Sequence, residues 1–119
     1  MNANARNARR IVRDRSRQAR AERAARRAVA ADPIQSVRTH LVARGLDVRL
    51  ADRFASAVSR KAGQGTAVGR ITKKVPGKGR AVRTYDVKLF SAAQMDTVLA
   101  AYRPAKDRAA QRAFLALAA

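Results

Sequence analysis

Residues 66–90 read TAVGRITKKVPGKGRAVRTYDVKLF, and the spacing of apolar side chains along this stretch decides the fold class. In 66–75, Ala67, Gly69, Ile71 and Val75 fall on one face of an extended chain. In 80–90, Ala81, Tyr85, Val87 and Leu89 do the same, with Phe90 at the end. A side-chain period of two is the mark of strands with one face buried. Between them, Pro76-Gly77-Lys78-Gly79 is a strong reversal signal. The stretch therefore predicts a β-hairpin with one side toward the core. Arg70, Lys73, Lys74, Lys78, Arg80, Arg83 and Lys88 are expected on its tip and outer side. Those seven cations face a single acid, Asp86, between residues 64 and 90, which is more than a mixed polar surface needs.

On both sides of the hairpin the period changes to that of helices. Asp32-Pro33-Ile34-Gln35 has the form of a helix start, with Asp32 as cap and Gln35 completing a capping box. Ile34, Val37, Leu41 and Val42 follow as an apolar face, and Gly45 ends the helix after Arg44. Asp47 then caps a second helix with face Leu50, Ala51, Phe54, Ala55 and Val58, ended by Gly63. After the hairpin, Ser91-Ala-Ala-Gln94 is another capping box, and Met95, Val98, Leu99 and Tyr102 form a helical stripe closed by Pro104. A last Ala-rich helix over roughly 105–118 carries Phe114, Leu115 and Leu117.

The first 32 residues differ in composition. They hold ten arginines, three acids (Asp14, Glu22, Asp32) and no aromatic residue. Arg6, Arg10, Arg13, Arg17, Arg20 and Arg27 recur at three- and four-residue steps with one gap of seven, a cationic stripe if the segment is helical. Like charges at i, i+4 oppose that helix in free solution, so the expectation is an arm over 1–32 that frays alone and becomes helical against phosphate. Residues 33–119 form the compact domain.

Composition excludes much else. The formal charge is +19 over 119 residues, which calls for a polyanionic partner, and nucleic acid is the most abundant one. Only three Phe, two Tyr and no Trp are present, and 28 residues are Ala, so the core is small. Without Cys there are no disulfides, thiolate chemistry or Cys-based zinc sites. No apolar run reaches the roughly 18 residues of a spanning helix. The lone His40 has no second His or Cys with which to share a metal, and the acids are scattered singly. Lys78 lacks the spacing of a phosphate-binding loop. No catalytic residues, no cofactor and no metal are expected. The arginine and alanine bias suits a GC-rich bacterial genome or its phage.

Two resemblances follow from these residues. Placing Gly45 at the turn of a helix-turn-helix window gives Val37–Ser56, with Leu41, Leu46, Val48 and Phe54 at apolar positions and with His40 and Arg44 departing from the pattern. With the basic hairpin and closing helix added, residues 34–90 resemble a winged-helix DNA-binding domain. That resemblance implies a second helix in the major groove, with Arg49, Arg53, Ser56 and Arg60 facing bases or backbone, and a wing whose Arg70, Lys73, Lys74, Lys78, Arg80 and Arg83 lie over backbone or minor groove. The family's short strand between its first two helices has no obvious counterpart in the residues. The segment from Arg13 to Pro33 resembles the arginine-rich RNA-binding helices of phage antitermination proteins, without their stacking aromatic.

The expectation is thus a small α+β protein, winged-helix-like, with an Arg-rich N-terminal helix or arm. It is expected to bind nucleic acid, double-stranded DNA before RNA, as a bacterial, phage or plasmid regulator or a DNA-organising protein. The alternative is a structural component of a phage particle or ribonucleoprotein. Tyr85 and Tyr102 fall on core faces, so no platform for single strands is expected. A homodimer or larger assembly stays open, membrane association does not, and the location expected is the bacterial nucleoid or, if phage-encoded, the virion.

Overall fold

A computed structural model of the chain describes residues 3–118. Five helices and three antiparallel strands follow one another as α1 (Ala3–Ala31), β1 (Gln35–Ser36), α2 (Val37–Ala43), α3 (Val48–Ala62), β2 (Ala67–Lys74), β3 (Val82–Phe90), α4 (Ala92–Ala101) and α5 (Arg108–Ala118). The fold is α+β, and the sheet order is β1-β3-β2.

The helix starts are set by side chains that accept otherwise orphaned backbone N–H groups. Asp47 accepts from Arg49 N, Ser91 from Gln94 N and Asp107 from Ala110 N. α2 starts four residues later than the sequence suggests. Its cap is Ser36, accepting from Thr39 N, while Asp32 accepts from Ile34 N in a local turn. Gln35 does not close a capping box. Its amide donates to the Ala28 and Asp32 carbonyls, tying off the end of α1, while its backbone joins β3 opposite Phe90. The strand absent from the sequence reading therefore exists as β1, two residues pairing Gln35 with Phe90 and Ser36 with Leu89.

The core lies between α2, α3, α4, α5 and the base of the hairpin. Leu41, Val42, Ala51, Val58, Phe90, Met95, Leu99 and Phe114 are fully enclosed. Phe114 of α5 meets Phe54 and Tyr102 edge-on at 5.6 and 5.1 Å, a favoured geometry for aromatic rings. His40 is also enclosed, and its Nε2–H donates to the Phe90 carbonyl at 2.6 Å, linking α2 to β3.

α1 runs unbroken, and its second half joins this core rather than standing apart from it. Ala25 is buried and Ala21 half-buried against α2. Gln18 donates to the Leu46 carbonyl and accepts from Val48 N, which bolts α1 onto the turn between α2 and α3. Alanines let the two helix backbones approach closely, which an arginine-rich composition conceals. Residues 6–13 are all exposed, so the first part of α1 extends past the domain.

The hairpin outruns the core. Ala67, Gly69, Val87 and Leu89 at its base are half-buried, but farther out Ile71 and Tyr85, opposite each other, are 37% and 44% exposed. Tyr85 thus sits on the core-facing side, as the alternation predicts, without reaching the core.

Candidate nucleic-acid interface

α3 presents its arginines away from the protein. Ala51 and Val58 are buried on one side, and at about 100° per residue Arg49, Arg53, Ser56 and Arg60 fall about half a turn away. All four are exposed. Arg53 and Arg49 are nonetheless held by acids from elsewhere in the chain. Arg53 Nη1 donates to Asp107 Oδ2 at 2.8 Å and stands 4.8 Å over the Phe54 ring, and Arg49 lies 3.5 Å from Asp14 of α1. Asp107 is held below the usual carboxylate range, chiefly by the Ala110 N–H and then by Arg53. Neither acid could be matched to its arginine from the sequence, since 35 and 54 residues separate them.

On α1, Arg6, Arg10, Arg13, Arg17, Arg20 and Arg27 are all exposed. They lie roughly a third of a turn from the docked stripe of Gln18, Ala21 and Ala25. Arg6 and Arg27 are about 30 Å apart along the axis, so the stripe forms a line and cannot converge on a small ligand. The contact between Arg49 and Asp14, which lies on the docked face one turn before Gln18, brings α1 alongside the start of α3. Arg6, Arg9, Arg10 and Arg13 line an open groove of about 480 Å3 at its outer end.

The hairpin cations divide between both faces of the ribbon, where the sequence placed them on its tip and outer side. Lys73 and Arg83 are directly opposed, on the same face as Ile71 and Tyr85. Like charges at such a position destabilise the free hairpin. Arg70 and Lys74 lie on the other face, and Arg70 approaches Asp86 at 3.8 Å. Lys78 and Arg80 are at the turn, where Gly77 and Gly79 take φ of 73° and 61°. Lys88 is at the base instead, donating to the Gly63 carbonyl behind α3.

All eight acids are engaged within the chain. Six pair with arginines, and Asp32 and Asp47 accept backbone N–H groups. Arg49, Arg53 and Arg70 are among the arginines so paired, and the surplus of positive charge is carried by exposed side chains of α1, α3 and the hairpin. The sequence reading missed one further basic surface. Arg103, Arg108 and Arg112, with Gln111 and Leu115, line an open groove of about 510 Å3 on α5. Arg108 and Arg112, one turn apart on an alanine-rich helix, are the signal that could have found it.

His40 is no phosphate ligand, because burial encloses it and holds its imidazole below the ordinary value of 6.5. Among the described residues no three His, Asp or Glu side chains cluster as metal ligands, and no helix is long and apolar enough to cross a membrane. No protein-family model, no curated protein and no solved structure matches the chain.

Proposed function

We propose that the chain binds double-stranded DNA without catalysing a reaction, as a regulator or DNA-organising protein. The observation that carries this reading is the set of exposed cationic lines on α1, α3 and the hairpin, whose positive charges far outnumber the acids that pair with them. A line of arginines about 30 Å long fits an extended polyanion, since duplex DNA rises 3.4 Å per base pair. The winged-helix likeness supports the duplex as target. α1, β1, α2, α3, β2 and β3 follow in the order of that family, with β1 paired to β3. In this reading α3 enters the major groove, the hairpin is the wing, and α1 grips backbone.

The test is binding of purified, nucleotide-free protein to duplex DNA, single-stranded DNA and hairpin RNA of equal length at three salt concentrations. The duplex should be bound tightest, and saturate at a defined site size. Preference for the RNA hairpin would move the function to the α1 arginines.

One observation favours a second reading, a structural component of a phage particle or ribonucleoprotein. Ile11 and Val12 are 50% and 67% exposed on the projecting part of α1, a place for apolar contact with a neighbouring subunit. Such a protein would bind duplex weakly alone and co-sediment with its particle.

A further inference from the structure

We infer that Asp107 makes Arg53 a reader of base edges rather than a phosphate clamp, a step that rests on the duplex-binding reading above. Arg53 is held on two sides by groups that are themselves fixed. Its Nη1 donates to Asp107 Oδ2 at 2.8 Å, and Asp107 Oδ1 in turn accepts from Ala110 N at the start of α5. Its guanidinium lies 4.8 Å over Phe54, whose ring packs edge-on against Phe114 of α5. The side chain is still 61% exposed, on the ridge of α3 that points away from the core.

Two consequences follow. A phosphate approaching Arg53 meets the Asp107 carboxylate as well, and the attraction and repulsion nearly offset. The guanine edge is neutral, with O6 and N7 acceptors, so it suffers no such repulsion, and most of the five N–H groups of Arg53 remain to meet it. The fixed guanidinium also has less side-chain freedom to lose on binding. Arg60 stands two turns farther along the same ridge, and among the described residues no carboxylate pairs with it. The ridge is divided accordingly: Arg53 reads a base, and Arg60 meets the backbone.

Asp107→Asn separates this role from a structural one. Asparagine caps a helix about as well as aspartate, so α5 keeps its start while the charge opposite Arg53 disappears. A preferred duplex is first selected from a random pool with the wild-type protein. Binding is then measured on that duplex and on variants with each G·C pair replaced by A·T, at several salt concentrations, with melting temperatures recorded. Wild type should discriminate at one G·C pair by roughly 5- to 150-fold. Asp107→Asn should bring that ratio toward one and steepen the log–log salt slope by about 0.9. Arg53→Lys should leave the slope unchanged and lose the discrimination. Arg60→Ala should weaken all duplexes alike and flatten the slope by about 0.9. The inference is overturned if Asp107→Asn, folded as wild type, keeps both ratio and slope, if Arg53→Lys keeps the discrimination, or if selection yields no G·C-dependent site while duplex is bound. Absence of duplex binding by the wild type would overturn the functional reading along with it.

Discussion

His40 occupies the place where α2, β3 and α4 meet, and its proton economy belongs to folding rather than function. Burial is the main reason that its imidazole stays below 6.5, ahead of the Phe90 carbonyl that opposes the shift, with Arg44 adding to it and Asp96 and the Pro33 backbone opposing it. The folded protein therefore holds His40 neutral at pH values where the unfolded chain begins to protonate it. The unfolded state then binds more protons, so stability is complete above pH 6.5 and falls as pH drops below it. Urea unfolding at pH 7.5, 6.5 and 5.5 should show that decline. His40→Leu should lose about 1–3 kcal/mol at pH 7.5, because the Phe90 carbonyl gives up its partner, and should show a flatter dependence over the same range. An unchanged slope in the variant would place the titration elsewhere. At the same scale, Phe114 carries α5. Phe114→Ala should lose about 3–5 kcal/mol, a large part of what a small domain has, and chemical denaturation measures it directly.

At the scale of elements, legibility followed the length of each pattern. The hairpin, the caps at Asp47 and Ser91 and the glycine stop at Gly63 could be read because each rests on residues next to one another in the chain. β1 could not, since two residues have no period. It forms because the edge of β3 at Leu89 and Phe90 needs a partner and Gln35 can bond the end of α1 at the same time. The alternation put Tyr85 on the right face but carries no information on how far the core extends beneath a strand. The hairpin also carries a prediction of its own. Lys73 and Arg83 oppose each other across the strands at a cost to the free protein. Lys73→Glu should stabilise the domain by about 0.2–1 kcal/mol and weaken duplex binding. Thermal melts and a titration on the same sample would check both, and a variant that is stabilised without losing affinity would remove the hairpin from the proposed interface.

For the whole molecule the governing quantity is charge. The eight acids all serve pairs or caps within the chain, so the surplus charge is cationic, and that part of the candidate interface was legible from counting alone. The pairs Arg49–Asp14 and Arg53–Asp107 were not, because they are made by the packing of α1 and α5 around α3. Nor was the docking of α1, whose buried face is alanine. With about eight to ten cations on phosphates, counterion release sets a log–log salt slope of about −7 to −9 on duplex DNA. Replacing Arg10, Arg13, Arg17 and Arg20 by Ala should flatten it by up to about 3.6 and weaken binding on all sequences alike. An unchanged slope in that variant would show that α1 is not a phosphate clamp.

The most direct measurement is the affinity of nucleotide-free protein for a duplex as a function of salt. A steep linear fall, with a slope near −7 to −9, is the expected result. No association even in dilute buffer, or an affinity indifferent to salt, would contradict the claim that these arginines and lysines face a phosphodiester backbone.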